Sequence, residues 1–177
     1  MKVMDVTSVA EARSLEARIL GSAVRACEEL LTIISAEPGM PALRRIKFEA
    51  VGYDPLDEQR RLNLIEQVNQ SLTYLVSLRA VEFLLREHPD RAAFRLNLGT
   101  AGGWDVESTD GTVVAEVFAA VTPDNNEKLR KDVKKVAESE APHRYVFYAS
   151  QRSGREVDSP GVSVHRIPVD DLFEVGE

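Results

Sequence analysis

The stretch Trp104–Phe118, WDVESTDGTVVAEVF, decides the fold. Asp110-Gly111 separates two strand-like runs, and Asp-Gly in that setting is among the strongest signals for a tight β-hairpin. If these two residues form the loop, Asp105 pairs across the hairpin with Glu116. The two carboxylates then lie on one face of the sheet with their side chains about 5 Å apart.

Two like charges at that distance repel each other, so the pairing needs a reason beyond folding. A divalent cation between them turns the repulsion into binding, because Mg²⁺ is held by one or two carboxylates together with waters and substrate phosphate. A solvated polar face is the alternative, but Val114 and Phe118 share the face with Glu116. A slip of one residue would send the two acids to opposite faces. The pattern favours a metal site.

The elements around the hairpin follow from periodicity. Helical apolar spacing predicts a helix over residues 8–37, which Pro38-Gly39 ends. A short strand is predicted within ALRRIKFEAVGY, residues 42–53, and one long helix over residues 56–88. The alternating AFRLNLG then predicts a strand before the hairpin. A helix over residues 124–140, with Asp124 or Asn125 as its cap, and the strands RYVFYAS and GVSVHRIPV follow.

This order of helix, three strands, helix and strand resembles the core of the PD-(D/E)XK nuclease-like superfamily. The resemblance implies an α/β fold with an αβββαβ core and a mixed sheet over residues 54–177, preceded by a helical extension over residues 1–53. Asp105 matches the acid of the second strand and Glu116 the acid of the third. Glu66, in NLIEQVNQ, matches the acid that many members carry on the first helix. These three residues would hold Mg²⁺ or Mn²⁺ for hydrolysis of phosphodiester bonds in DNA or RNA.

The sequence departs from the superfamily at the lysine of its third strand, where Phe118 stands. A lysine of the following helix can replace it, and Lys128 and Lys135 both flank the apolar stripe of that helix. We favour Lys128, which joins Asp105 and Glu116 as a predicted catalytic residue. The alternative is a catalytically inactive nuclease-fold module that acts in protein interaction or regulation.

Charge and composition limit the partners. The net charge is −7 and the isoelectric point about 5.1, which argues against a protein that coats nucleic acid. Residues 123–155 nevertheless carry eight Lys or Arg against five acids, so a local basic surface could meet DNA or RNA. The single cysteine, Cys27, is expected to be a small buried side chain and indicates a reducing cytoplasm. No apolar run suggests a membrane span, and the apolar helices predict a homodimer or a protein partner.

Overall fold

The computed structural model describes residues 3–91, 93–99, 102–155, 157 and 159–173. Short 3-10 helices occupy Asn125–Glu127 and Asp170–Leu172. The predicted mixed α/β class is confirmed. The helices and strands in chain order are β1 (Val3–Val6), α1 (Val9–Ala36), α2 (Met40–Phe48), β2 (Gly52–Asp54), β3 (Asp57–Leu62), α3 (Leu64–Glu87), β4 (Phe94–Asn97), β5 (Val106–Ser108), β6 (Val113–Ala119), α4 (Lys128–Ala137), β7 (His143–Ala149) and β8 (Ser163–Ile167).

The chain divides into two compact units, and the division does not fall at residue 53. The first unit comprises the described parts of Met1–Arg13 and Val76–Glu177, and the second is Ser14–Leu75. The N-terminal segment belongs to the first unit because β1 pairs with β4. The long helices α1 and α3 each begin in one unit and end in the other.

The first unit is built on a mixed sheet with the strand order β1-β4-β5-β6-β7-β8 among its described residues. The pairings from β1 to β6 are antiparallel, whereas β6–β7 and β7–β8 are parallel. The parallel pairing of β6 with β7 needs a crossover, and α4 provides it. Nearly every residue of β6, VVAEVFA, is buried, as expected for a strand covered on both faces.

Helices cover both faces of this sheet within the first unit. On one face, Phe118 and Tyr148 pack with the apolar stripe Leu129, Val133 and Val136 of α4. On the other face, Phe83 of α3 contacts the rings of strands β7 and β8, at 5.4 Å between its centroid and that of Phe147. The face that α4 covers is the one that carries Glu116, because Glu116 and Phe118 are two residues apart on β6.

The β5–β6 hairpin has the predicted register. Val106 pairs with Ala115 and Glu107 with Val114, as the Asp110-Gly111 loop requires. Asp110 stabilises the turn by accepting hydrogen bonds at Oδ1 from the hydroxyls of Ser108 (2.6 Å) and Thr112 (2.7 Å) and from the backbone N–H of Thr112. Gly111 has φ +71°, a conformation in which glycine carries no steric penalty.

The second unit corrects two predictions. Residues 40–48 form the helix α2, because Ala42 and Ile46, four residues apart, are buried on one helical face. The predicted strand in this region is reduced to β2, which pairs with β3. The predicted long helix therefore begins late: the charged residues 57–62 form β3, and α3 starts at Leu64 after Asn63, whose Oδ1 accepts the Glu66 N–H.

Three further expectations were wrong in detail. The strand β1 was not predicted, because its four residues at the sheet edge are too few for alternation to show. Cys27 is exposed, since the buried face of α1 passes through its neighbour Ala26. The helix α4 begins at Lys128 rather than after a cap at Asp124, whose carboxylate instead accepts the backbone N–H of Arg155.

Candidate functional site

The hairpin brings the two predicted acids to one place. Asp105 directly precedes β5, and its Oδ2 accepts the backbone N–H of Val117 on β6 at 2.8 Å. The backbone carbonyl of Asp105 accepts the N–H of Asn97, which fixes the entry into β5. Val117 follows Glu116 in the chain, so the carboxylate of Asp105 reaches the strand that carries Glu116. Both side chains belong to the first unit.

Glu116 is buried but ion-paired. Its side chain is only 5% exposed, and its Oε1 lies 2.5 Å from Nζ of Lys135 on α4. The same ammonium group donates to the carbonyl of Gly103 at 2.9 Å and lies 5.2 Å from the centroid of the Trp104 ring. Lys135 therefore connects α4 with β6 and with the segment that directly precedes β5. A buried carboxylate needs such a partner to remain ionised.

A second ion pair, between Lys128 and Asp132, lies about one helical turn before Lys135 on α4. Nζ of Lys128 is 2.8 Å from Oδ1 of Asp132, a residue that is 4% exposed. The other carboxylate oxygen, Oδ2, is buried and has no hydrogen-bond partner among the described residues. The negative charges of Asp105 and Asp132 both act on Glu116. The site is thus a cluster of three carboxylates and two ammonium groups.

The pKa values of the three carboxyl groups show the cost of this arrangement. Burial is the main cause that raises the pKa of Asp105, Glu116 and Asp132. For Glu116 the second cause is the negative charge of Asp105, and Lys135 acts in the opposite direction. The Val117 N–H and the charges of both lysines hold the pKa of Asp105 down in part. The repulsion that the hairpin register predicts is therefore present.

Phe118, the residue at which the sequence departs from the expected motif, is a core residue. It is buried, and its ring stacks on Tyr148 with 5.6 Å between centroids and 14° between planes. Nζ of Lys128 lies 5.6 Å from the centroid of the Phe118 ring. The strand position thus supplies packing, and positive charge comes from α4 alone among the residues that face the cluster.

The predicted site residues fall into three groups. Asp105 and Glu116 lie together, and both candidate lysines lie beside them. The lysine that bonds to Glu116 is Lys135, whereas the favoured Lys128 bonds to Asp132. Glu66 is exposed in the first turn of α3 and belongs to the second unit.

Asp132 is the site residue that the sequence reasoning missed, although its sequence carried a signal. At about 100° per residue, Asp132 lies at the edge of the apolar stripe that contains Leu129, Val133 and Val136, on the side of the two lysines. A buried acid at that edge, four residues after Lys128 and three before Lys135, is unusual. That spacing places all three charged side chains on one side of α4.

Asp105 and Glu116 are the residues of the cluster that could hold a hydrated divalent cation. Within the residues that the structure describes, no group of three or more His, Cys, Asp or Glu is arranged to hold a metal ion directly. Mg²⁺ commonly uses only one or two carboxylates and keeps several waters. Asp105 and Glu116 provide the carboxylates, and the unpartnered Oδ2 of Asp132 provides a further acceptor. With all five groups ionised, the three carboxylates outnumber the two ammonium groups, so the cluster carries one excess negative charge.

No known protein family, curated protein or solved structure matches the chain. In the described part of the chain, no helix combines the length and the apolar character that crossing a membrane requires.

Proposed function

We propose that this chain is a metal-dependent nuclease that hydrolyses phosphodiester bonds in DNA or RNA. The observation that carries the proposal is the meeting of Asp105, Glu116 and Lys135 at one hairpin. A buried carboxylate, Glu116, beside the half-buried carboxylate of Asp105, with a lysine bonded to Glu116, is costly to the fold and useful to phosphoryl chemistry. The order of elements supports it, because α3, the antiparallel β4–β5–β6, α4 and the parallel β7 follow the αβββαβ pattern of the superfamily that the sequence resembles.

Asp105 and Glu116 would hold Mg²⁺ or Mn²⁺. Such an ion supplies an activated water and neutralises charge on the scissile phosphate. Lys135 orients the carboxylate of Glu116 and places a positive charge beside the phosphate, the part that the superfamily's strand lysine would play. Lys128 adds a second positive charge near Asp105. Glu66 is no longer required as a ligand in this proposal.

The helix α4 supports contact with nucleic acid. Lys131 and Lys134 are exposed on it, and Lys134 reaches Glu138 only at 3.9 Å. Both exposed ammonium groups could neutralise phosphates, which is the main source of affinity for DNA and RNA. They lie on the same helix as the lysines of the cluster, so a strand bound along α4 would pass beside the acids.

The test compares wild type with Glu116→Gln and Asp105→Asn on plasmid, single-stranded DNA and RNA, with Mg²⁺, Mn²⁺ or EDTA. We expect cleavage that requires the metal and falls at least 100-fold in either variant, because a ligand of the ion is lost. Glu138→Gln is the matched control, since Glu138 is an exposed acid on α4. Equal traces of cleavage in wild type and Glu116→Gln would reject the nuclease.

One observation favours a second function, that of an inactive nuclease-fold module acting in protein interaction or regulation. Both lysines are already paired with acids, and Phe118 fills the superfamily's lysine position with packed core. The ammonium groups could then serve in place of a metal. In that case Mg²⁺ and Mn²⁺ would leave the unfolding temperature unchanged, whereas the nuclease requires a rise that Glu116→Gln abolishes.

Assembly is a separate proposal that fits either function. In the second unit, large apolar side chains are exposed on α1 and α2, including Leu31 (65%), Met40 (75%) and Phe48 (77%). Exposed apolar groups of this kind mark protein interfaces. We therefore propose a homodimer, which light scattering would test. Phe48→Ser should shift the mass toward that of the monomer.

A further inference from the structure

The buried oxygen of Asp132 is the feature of the cluster that the proposed function leaves unexplained. Asp132 is 4% exposed, and Lys128 satisfies only its Oδ1, at 2.8 Å. Oδ2 is buried without a hydrogen-bond partner among the described residues. Leaving an ionised oxygen buried and unpaired is costly, so such an atom in a folded protein needs an explanation.

Asp132 interacts electrostatically with the other two acids of the cluster. Its charge acts on Glu116, and the charge of Asp105 acts on Asp132. Asp132 is buried at the edge of the apolar stripe of α4, where a neutral apolar side chain would need no polar partner. An acid here is therefore explained by the cluster and not by helix packing.

The geometry also limits what Asp132 can do. Across the described residues no three acids are placed to ligate one ion directly, so Asp132 is not a third ligand. A hydrated Mg²⁺ or Mn²⁺ retains several waters, and each of these waters needs hydrogen-bond acceptors. Carboxylates just outside the ligands supply them in many metal sites and orient what the ion holds.

We propose that Asp132 is a positioning residue of the cation site: its Oδ2 accepts a hydrogen bond from a water ligand of the ion held by Asp105 and Glu116. Its Oδ1 at the same time anchors the Lys128 ammonium group. This inference rests on the proposed function, because it needs the ion. It gives one side chain two tasks, which together account for both of its oxygens.

The experiment measures Mn²⁺ binding to the whole chain by calorimetry, without substrate, for wild type and Asp132→Asn. We expect the variant to bind Mn²⁺ about 10- to 100-fold more weakly, the usual effect of losing such an outer carboxylate. Glu138→Gln, on the exposed side of the same helix, should bind within about threefold of wild type. Thermal unfolding without metal shows whether each variant is folded.

A second variant, Lys128→Met, separates the two oxygens of Asp132. It removes the anchored ammonium group and leaves the carboxylate, so Mn²⁺ affinity should stay the same or rise as a competing positive charge is lost. An equal loss of affinity in Lys128→Met and Asp132→Asn would overturn the inference, because Asp132 would then act only through Lys128. Unchanged affinity in Asp132→Asn would overturn it and leave the proposed function standing. Failure of wild type to bind Mn²⁺ would reject both.

Discussion

Removal of the ammonium group at Lys135 should destabilise the fold more than removal of the carboxylate to which it bonds. Lys135→Met leaves Glu116 as a buried charge, 5% exposed, whose strongest partner is gone. Breaking a fully buried pair in this way costs about 3–5 kcal/mol. The Lys135 side chain is 47% exposed, so solvent already screens part of the interaction, and we expect a loss of about 2 kcal/mol. Glu116→Gln leaves a lysine that can turn toward water and should cost about 1 kcal/mol.

The effect of Lys135→Met should depend on pH in a defined direction. Burial and Asp105 raise the pKa of Glu116, and Lys135 is what lowers it, so the variant raises it further. A folded state with a raised carboxyl pKa binds more protons than the unfolded state. Its stability is therefore greatest below the ordinary pKa of glutamate, about 4.3, and falls as pH rises through the folded value. The destabilisation should be clear at pH 7 and small at pH 4.

The assay is urea unfolding of wild type, Lys135→Met and Lys134→Met between pH 4 and pH 8. Lys134 is the matched control, because it is 79% exposed and lies 3.9 Å from Glu138, a pair that contributes little. Lys134→Met should lie within about 0.5 kcal/mol of wild type at every pH. Equal losses of stability in the two variants would refute the role of Lys135 as the stabilising partner of Glu116. A loss in Lys135→Met that does not change with pH would refute it as well.

Three further substitutions test the structure around the site. Asp110→Ala removes the acceptor of the hairpin turn, including both bonds from Thr112, and should lower the midpoint of urea unfolding; an unchanged midpoint would show that the turn does not depend on them. Phe118→Lys introduces the lysine that the resemblance leads one to expect but buries a cation in a packed core, so we expect a loss of more than about 3 kcal/mol and no gain of cleavage; a stable, more active variant would contradict this. Gly154→Ala places a Cβ 2.5 Å from Cδ2 of Leu129, so this buried side chain must move within its packed surroundings, and unfolding should show a loss of about 1–3 kcal/mol; an unchanged midpoint would show that the contact relaxes freely.

The hairpin could be predicted from sequence because its signals are local. Asp110-Gly111 specifies the turn, and the alternation on either side specifies the register, which the pairing of Val106 with Ala115 bears out. The helices α1 and α4 also follow from spacing, although α4 begins at Lys128 and not earlier. By contrast, residues 57–62 look helical by composition and form a strand, because pairing with β2 outweighs local preference.

The partner of each acid could not be predicted, because it depends on rotamers across elements. Helical geometry puts Lys128 and Lys135 on the same side of α4, and nothing in their spacing states which one reaches Glu116. The structure assigns that contact to Lys135, through the position of α4 over β6. The burial of Asp132 could in principle be predicted, because this acid lies beside the apolar stripe of α4. A stripe is usually defined by its apolar members alone, so the acid was overlooked.

The parallel pairing of β6 with β7 also has a kinetic consequence for folding. The strands β5 and β6 adjoin through a tight turn, so their hairpin can form from local contacts in microseconds. The β6–β7 pairing must wait until α4 and its flanking loops have closed a longer stretch of chain. We therefore expect Asp105 and Glu116 to come together before Lys135 reaches them on α4. In the hairpin formed at that stage, no lysine offsets the repulsion between the carboxylates of Asp105 and Glu116. Protons or divalent cations that reduce this repulsion should therefore accelerate hairpin formation.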